Sequence, residues 1–240
     1  MGLVKTVKFK DARYLGDPRN VVKIFNEKEV DELILLDITA TPEKKPIQFD
    51  LIHEIVSEAF MPVAYGGGIR NLEDARKMLA LGVEKIVINS YSVENPSLIT
   101  QAAHSFGSSS VVVGIDVKKS LLGKYEVMIN GGRTKTGLDP VKHAIHMAQM
   151  GAGEIVINSI DRDGTMTGYD LDLTKLITSA VTVPVIACGG AGTVEHLGEA
   201  IRLGGASAVA AGSMFVFQGK HRAVLITFPE MSIRIKVFES

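Results

Sequence analysis

The sequence has one cysteine, Cys188. A single thiol rules out a disulfide framework and points to a reducing compartment, the cytosol. Cys188 lies in an apolar stretch and reads as a small buried filler rather than a nucleophile. Net charge is also missing: 26 basic and 27 acidic residues leave −1 at pH 7. Neither nucleic acid nor an anionic membrane would find an electrostatic footprint here. No apolar run reaches the ~18 residues of a membrane span, and the N-terminus has no apolar core of a signal peptide. None of the six histidines stands in an HExxH or HxH spacing, so no metal site and no cofactor is expected.

What the chain does have is repetition. Pro62-Val63-Ala64-Tyr65-Gly66-Gly67-Gly68 returns as Pro184-Val185-Ile186-Ala187-Cys188-Gly189-Gly190. At the same offset, Lys85–Ser90 meets Ala208–Ser213, and Leu33–Thr39 meets Glu154–Asp161 within two residues. A repeat of half the chain means a duplicated half-domain. The 240 residues, 46% of them hydrophobic, suit one large domain with half-barrels over roughly 1–106 and 107–240.

Short apolar runs alternate with helical patterns. Leu33–Ile38, Pro62–Tyr65, Lys85–Asn89, Val111–Ile115, Ile155–Asn158, Val183–Ala187 and Ala208–Ala211 read as strands buried on both faces, which is the pattern of a parallel sheet. Helices are expected to open at Asn71, Asn95-Pro96, Asp139-Pro140 and Thr193, and to stop near Gly82, Gly107, Gly151 and Gly204. The architecture expected is a (β/α)8 barrel of two similar halves. Seven strands are countable, and the repeat partner of Val111–Asp116 would fall before Met1. The first strand is therefore expected to be missing. Thr6–Phe9 is expected to pair locally as a ribbon, Ser232–Val237 alternates like a strand, and either is a candidate to patch the gap.

Gly-rich turns that follow a strand and lead into a helix bind phosphate through backbone N–H groups. Two stand at matching positions, Gly66–Gly68 and Gly189–Gly192, each followed one strand later by Asn89-Ser90 or Gly212-Ser213. That pairing points to a substrate with a phosphate at each end, bound at the C-terminal ends of the strands. Asp116 follows an apolar strand directly and suits a general acid or base. Asp37 and Asp161 are candidates for a supporting role.

These motifs, with Asp161-Arg162-Asp163-Gly164-Thr165 and Gly151-Ala152-Gly153-Glu154-Ile155, together resemble the cyclase subunit of imidazole glycerol phosphate synthase over Met1 to about Phe217. The sister two-phosphate isomerase of the same pathway fits less well at Thr134–Gly137 and Asp161–Thr165. The resemblance implies a ribulosyl-aminoimidazole-carboxamide ribonucleotide as bis-phosphate substrate, and a glutaminase partner whose ammonia enters at the barrel bottom. It implies that Gly68, Asn89 and Ser90 hold one phosphate, and that Asp163, Gly164, Gly190, Gly212 and Ser213 hold the other. Lys5 matches the lysine of the mobile loop, Asp116 the second catalytic aspartate, and Glu32, Lys85 and Glu154 the charged ammonia gate. The family's first-strand aspartate and gate arginine have no counterpart in this sequence, which implies impaired cyclisation. Gly219–Pro229 is similar to a divergent branch associated with surface-sugar genes, where the barrel passes ammonia to a separate enzyme.

Overall fold

The computed structural model describes residues 2–239. It opens with an antiparallel ribbon, β1 (Leu3–Val7) on β2 (Lys10–Gly16), that places Lys5 opposite Arg13. Helix α1 (Pro18–Glu27) begins with proline in its first turn, where no N–H is needed. Asp17 caps it, accepting from the Arg19 amide at 2.9 Å.

Strands and helices then alternate. β3 (Leu33–Leu36), α2 (Phe49–Ser57), β4 (Val63–Gly66), α3 (Leu72–Ala80) and β5 (Lys85–Ile88) lead to a short α4 (Ser90–Glu94), α5 (Ser97–Phe106) and β6 (Val111–Lys119). β7 (Tyr125–Ile129) and β8 (Thr134–Lys135) form an antiparallel extension of β6. The second half continues with α6 (Pro140–Gln149), β9 (Glu154–Ser159), α7 (Leu171–Thr178), β10 (Val185–Cys188), α8 (Val194–Arg202), β11 (Ala208–Ala210) and α9 (Ser213–Val216). A second ribbon, β12 (Phe217–Gln218) with β13 (Ala223–Val224), precedes α10 (Met231–Glu239).

Seven strands lie parallel in the order β11-β10-β9-β6-β5-β4-β3. This is the expected (β/α)8-barrel architecture, with no first strand among the described residues. β3 and β11 end the path. Leu33 of β3, with Val21 and Phe25 of α1, packs with Val216 and Phe217 beyond β11, joined by Leu3, Leu15 and Ile226. Each buried side chain of this size contributes roughly 1.5–3 kcal/mol, so the cluster holds the two ends of the path together without a strand between them.

Alternation along the strands separates two cores. Outward residues such as Tyr65, Ile86, Val113, Ile155 and Val185 pack with Ile52, Met78, Ile99, Met147 and Ile177 of the helices. Inward residues Ala64, Val87, Val112, Val156 and Ile186, with Ile34, Cys188 and Ala210, form an apolar ring inside the sheet.

Two local expectations fail. The alternating tail is a helix, α10, not a strand. Its Arg234 is paired with Asp31, and Arg202 of α8 donates to the Val237 carbonyl. Those contacts fix one face against the barrel and leave Ile233 and Ile235 exposed, as expected when a period-two pattern is wound into a helix. α5 begins after Pro96 rather than at Asn95, because the turn that Asn89 starts has already formed α4.

Candidate functional site

Asp116 lies at the C-terminal end of the barrel interior. Its position on β6 pairs with Asn158 on β9, and Asn158 pairs in turn with Cys188 on β10. Asn89 Nδ2 donates to the Gly114 carbonyl at 3.0 Å and to Asp116 Oδ2 at 3.1 Å. Burial pushes the Asp116 carboxyl up to about 7, opposed by the bond from Asn89, assisted by the negative Asp163 and opposed again by Asn158. A carboxyl that titrates near neutrality can both give and take a proton at working pH.

One glycine turn follows β4, two strands from β6 on one side of Asp116. Gly67 has φ +121, and a Cβ there would fall 2.4 Å from the Asp37 carbonyl oxygen, so the turn closes only with glycine. Gly68 (φ +75) packs against Ala40 and Ile47. One strand later, Ser90 accepts from the Asn130 amide at 3.0 Å. The other turn follows β10, two strands from β6 on the other side. Gly190 has φ +116 and its carbonyl accepts from the Gly168 amide at 2.8 Å. Ser213 is buried, and its hydroxyl has no partner among the described residues. The Lys5 ammonium reaches between Gly212 and Asp163, 3.8 Å from the carboxylate. An ammonium and an unpaired hydroxyl beside a glycine turn suit a phosphate.

The first ribbon covers the neighbouring Asp163–Gly164 loop. Thr6 Oγ1 donates to Asp163 Oδ2 at 3.3 Å, and the Lys8 amide donates to the Asp163 carbonyl at 2.9 Å. A Cβ at Gly164 would meet the Thr6 carbonyl oxygen at 2.2 Å. Arg222 holds the same place from the other side, donating to the Gly164 carbonyl at 3.0 Å. Burial raises the Asp163 carboxyl, while the Lys5 charge and the Thr6 hydroxyl pull it back down.

At the opposite end of the barrel, Lys85 is bound between Glu32 at 3.0 Å and Glu154 at 2.9 Å. Burial works against the lysine charge, but the bonds from both carboxylates outweigh it and raise its pKa. The three gate candidates are thus one charged cluster below the apolar ring.

Two candidates stand apart. Asp161 accepts from the Lys119 amide at 2.8 Å. Asp37 accepts from the Thr39 amide at 2.9 Å, the Thr39 hydroxyl at 2.8 Å and the Ala40 amide at 3.0 Å. Both brace loops. Cys188 is half-buried, and desolvation with nearby Asp163 pushes its thiol up to about 12, which makes it a poor nucleophile. Among the described residues no group of three His, Cys, Asp or Glu side chains could hold a metal ion, and no helix is long and apolar enough to cross a membrane.

Four contributors escape a reading of motifs. Asn158 and Arg222 are single polar residues without a spacing pattern. Ser92 and His143 are 51 positions apart yet share a buried contact of 3.1 Å. Ser92 also donates to the Asn89 carbonyl at 2.6 Å, so this pair fixes the residue that holds Asp116.

The family profile described as "Histidine biosynthesis protein" matches residues 2–222. A relative from Leptospira interrogans, named "Putative imidazole glycerol phosphate synthase subunit HisF", is 50% identical over 238 residues, covering 99% of this chain and 94% of the relative. A protein of Pseudomonas aeruginosa, named "Putative imidazole glycerol phosphate synthase subunit hisF2", is 51% identical over 231 residues, 96% of this chain and 92% of its own. One from Alkaliphilus metalliredigens, named "Imidazole glycerol phosphate synthase subunit HisF", is 47% identical over 213 residues, 89% and 84% respectively.

Proposed function

The chain belongs to the histidine biosynthesis protein family, and from that premise we propose that it is a lyase-type cyclase subunit of imidazole glycerol phosphate synthase. In this proposal ammonia from a glutaminase subunit converts the bis-phosphate ribulosyl-aminoimidazole-carboxamide ribonucleotide to imidazole glycerol phosphate and aminoimidazole carboxamide ribotide, in the cytoplasm. The observation that carries it is the pair of repeat-related glycine turns, after β4 and β10, on either side of a half-buried, titratable Asp116. Gly68, Asn89 and Ser90 take one phosphate; Gly164, Gly190, Gly212 and Ser213, with Lys5 and Asp163, take the other. Asp116 moves the proton in ring closure. The Glu32–Lys85–Glu154 cluster faces the glutaminase and admits ammonia to the apolar ring above it.

The test uses ammonium in place of the partner. The purified chain, the bis-phosphate and ammonium should give imidazole glycerol phosphate, and Asp116→Asn should abolish the product. A folded wild-type chain that makes none would overturn the cyclase reading.

A second reading is favoured by the relatives named as second-copy subunits, hisF2 above and the 47% identical "Putative imidazole glycerol phosphate synthase subunit hisF3" of Vibrio vulnificus. In this reading the barrel of this chain activates a glutaminase and delivers ammonia to a separate sugar-modifying enzyme, with little or no cyclisation of its own.

A further inference from the structure

Helix α6 buries Pro140, His143, Ala144 and Met147, the i, i+3, i+4, i+7 stripe that faces the sheet. Ala144 and Met147 belong to the core between sheet and helices. His143 is the polar member of the stripe, and an imidazole buried there needs a hydrogen bond. It finds one in Ser92 of α4, which is buried too and lies 3.1 Å from Nε2.

The roles in this contact follow from counting protons. Ser92 has one hydroxyl proton. The Asn89 carbonyl, 2.6 Å away, can only accept, so that proton goes to it. The Ser92 amide donates to the same carbonyl at 2.9 Å. The Ser92 oxygen is left as an acceptor, and His143 must supply a proton from Nε2. Burial, helped by the nearby His146, pushes the His143 ring down to about 4, so it is neutral at pH 7 and Nδ1 carries no proton.

At its other end the same Asn89 reaches Asp116. Its Nδ2 donates to the Gly114 carbonyl at 3.0 Å and to Asp116 Oδ2 at 3.1 Å. A chain of hydrogen bonds thus runs from α6 through α4 and the end of β5 to the carboxyl on β6.

We propose that His143 is a positioning residue for Asp116, acting through Ser92 and the Asn89 turn from the helix layer outside the sheet. The proposal deepens the cyclase reading and rests on it for the role of Asp116. Pinned at its carbonyl, Asn89 keeps its amide on the carboxyl; released, it turns and that bond lengthens. The bond favours the ionised carboxylate, so losing it makes Asp116 harder to ionise. The other titratable groups around Asp116 are Asp163 after β9, Cys188 on β10 and Lys5 of the first ribbon, and the one that acts on His143 is His146. All of them stay in place in the variants below.

The test is NMR on the whole chain. The ring nitrogen shifts of His143 at pH 7 should show a neutral ring with its proton on Nε2. The titration of the Asp116 carboxyl carbon should move to higher pH by about half to one unit in His143→Phe, and likewise in Ser92→Ala. The double variant should move no further than either single one, because each breaks the same chain. His143→Gln, whose amide can still donate to Ser92, should restore the wild-type titration. A ring protonated on Nδ1 at pH 7 would overturn the proposal. So would an Asp116 titration that is the same in wild type and both single variants, even if His143→Phe is less stable. A moved titration in a chain that makes no product sinks the cyclase reading and leaves this role standing. Product formation with an unmoved titration does the reverse.

Discussion

Arg222 donates to the carbonyl of Gly164 at 3.0 Å, and so ties the C-terminal ribbon to the turn that the first ribbon covers. Its guanidinium also lies 4.7 Å from the centre of the Phe217 ring, with Arg13 of the first ribbon 5.2 Å from the same ring. Arg13 donates in turn to the Arg222 carbonyl at 2.9 Å. One aromatic ring and two arginines thus latch the lid.

Arg222→Ala should loosen that lid. A charged hydrogen bond and a cation–π contact together are worth about 1–3 kcal/mol. Trypsin should cut at Lys8 and Lys10 several-fold faster in the variant, with global stability nearly unchanged. Equal cleavage rates would show that the arginine does not hold the ribbon.

Asp116 makes stability depend on pH. Its folded pKa of about 7 lies above the usual aspartate value of 3.8, so the folded state keeps a proton that the unfolded chain gives up. Its contribution is complete below the unfolded value and is lost as pH rises to about 7, at up to about 1.4 kcal/mol per unit. Wild type should therefore lose stability relative to Asp116→Asn between pH 5 and pH 7, as measured by urea unfolding. A constant difference would contradict the raised carboxyl pKa.

Lys85→Met should leave Glu32 and Glu154 facing each other across the gate. The lysine is only partly buried, so the stability cost is about 1 kcal/mol. The larger effect should fall on coupling: glutamine-driven turnover should drop relative to ammonium-driven turnover. A parallel fall in both would place Lys85 outside the ammonia path.

Gly190→Ala meets two penalties, a φ of +116 and a Cβ 2.2 Å from the Gly168 carbonyl oxygen. Gly123→Ala has φ +80 and open space around it. The second should cost about 1 kcal/mol and the first about 2–4 kcal/mol. Thermal unfolding of both variants separates strain from collision, and equal costs would show that the turn can relax.

The strand order and both glycine turns were legible because buried parallel strands and their turns leave local marks. Val111–Ile115 or Gly66–Gly68 carry their own evidence. Glu32, Lys85 and Glu154 were legible only through resemblance, since each is an ordinary charged residue until the sheet brings them together. The tail misled, because alternation in Ser232–Val237 says nothing about which neighbour is present. Arg234 and Arg202 decide it through long-range contacts. Asn158 was not legible as a neighbour of Asp116, since only strand pairing brings the two together.

The measurement that tests the account most directly is product stoichiometry in the reconstituted complex with a glutaminase. The account predicts one imidazole glycerol phosphate for each glutamine hydrolysed when the bis-phosphate is present. Rapid glutamine hydrolysis with ammonia released and no cyclised product would contradict it, and would assign the barrel to ammonia delivery.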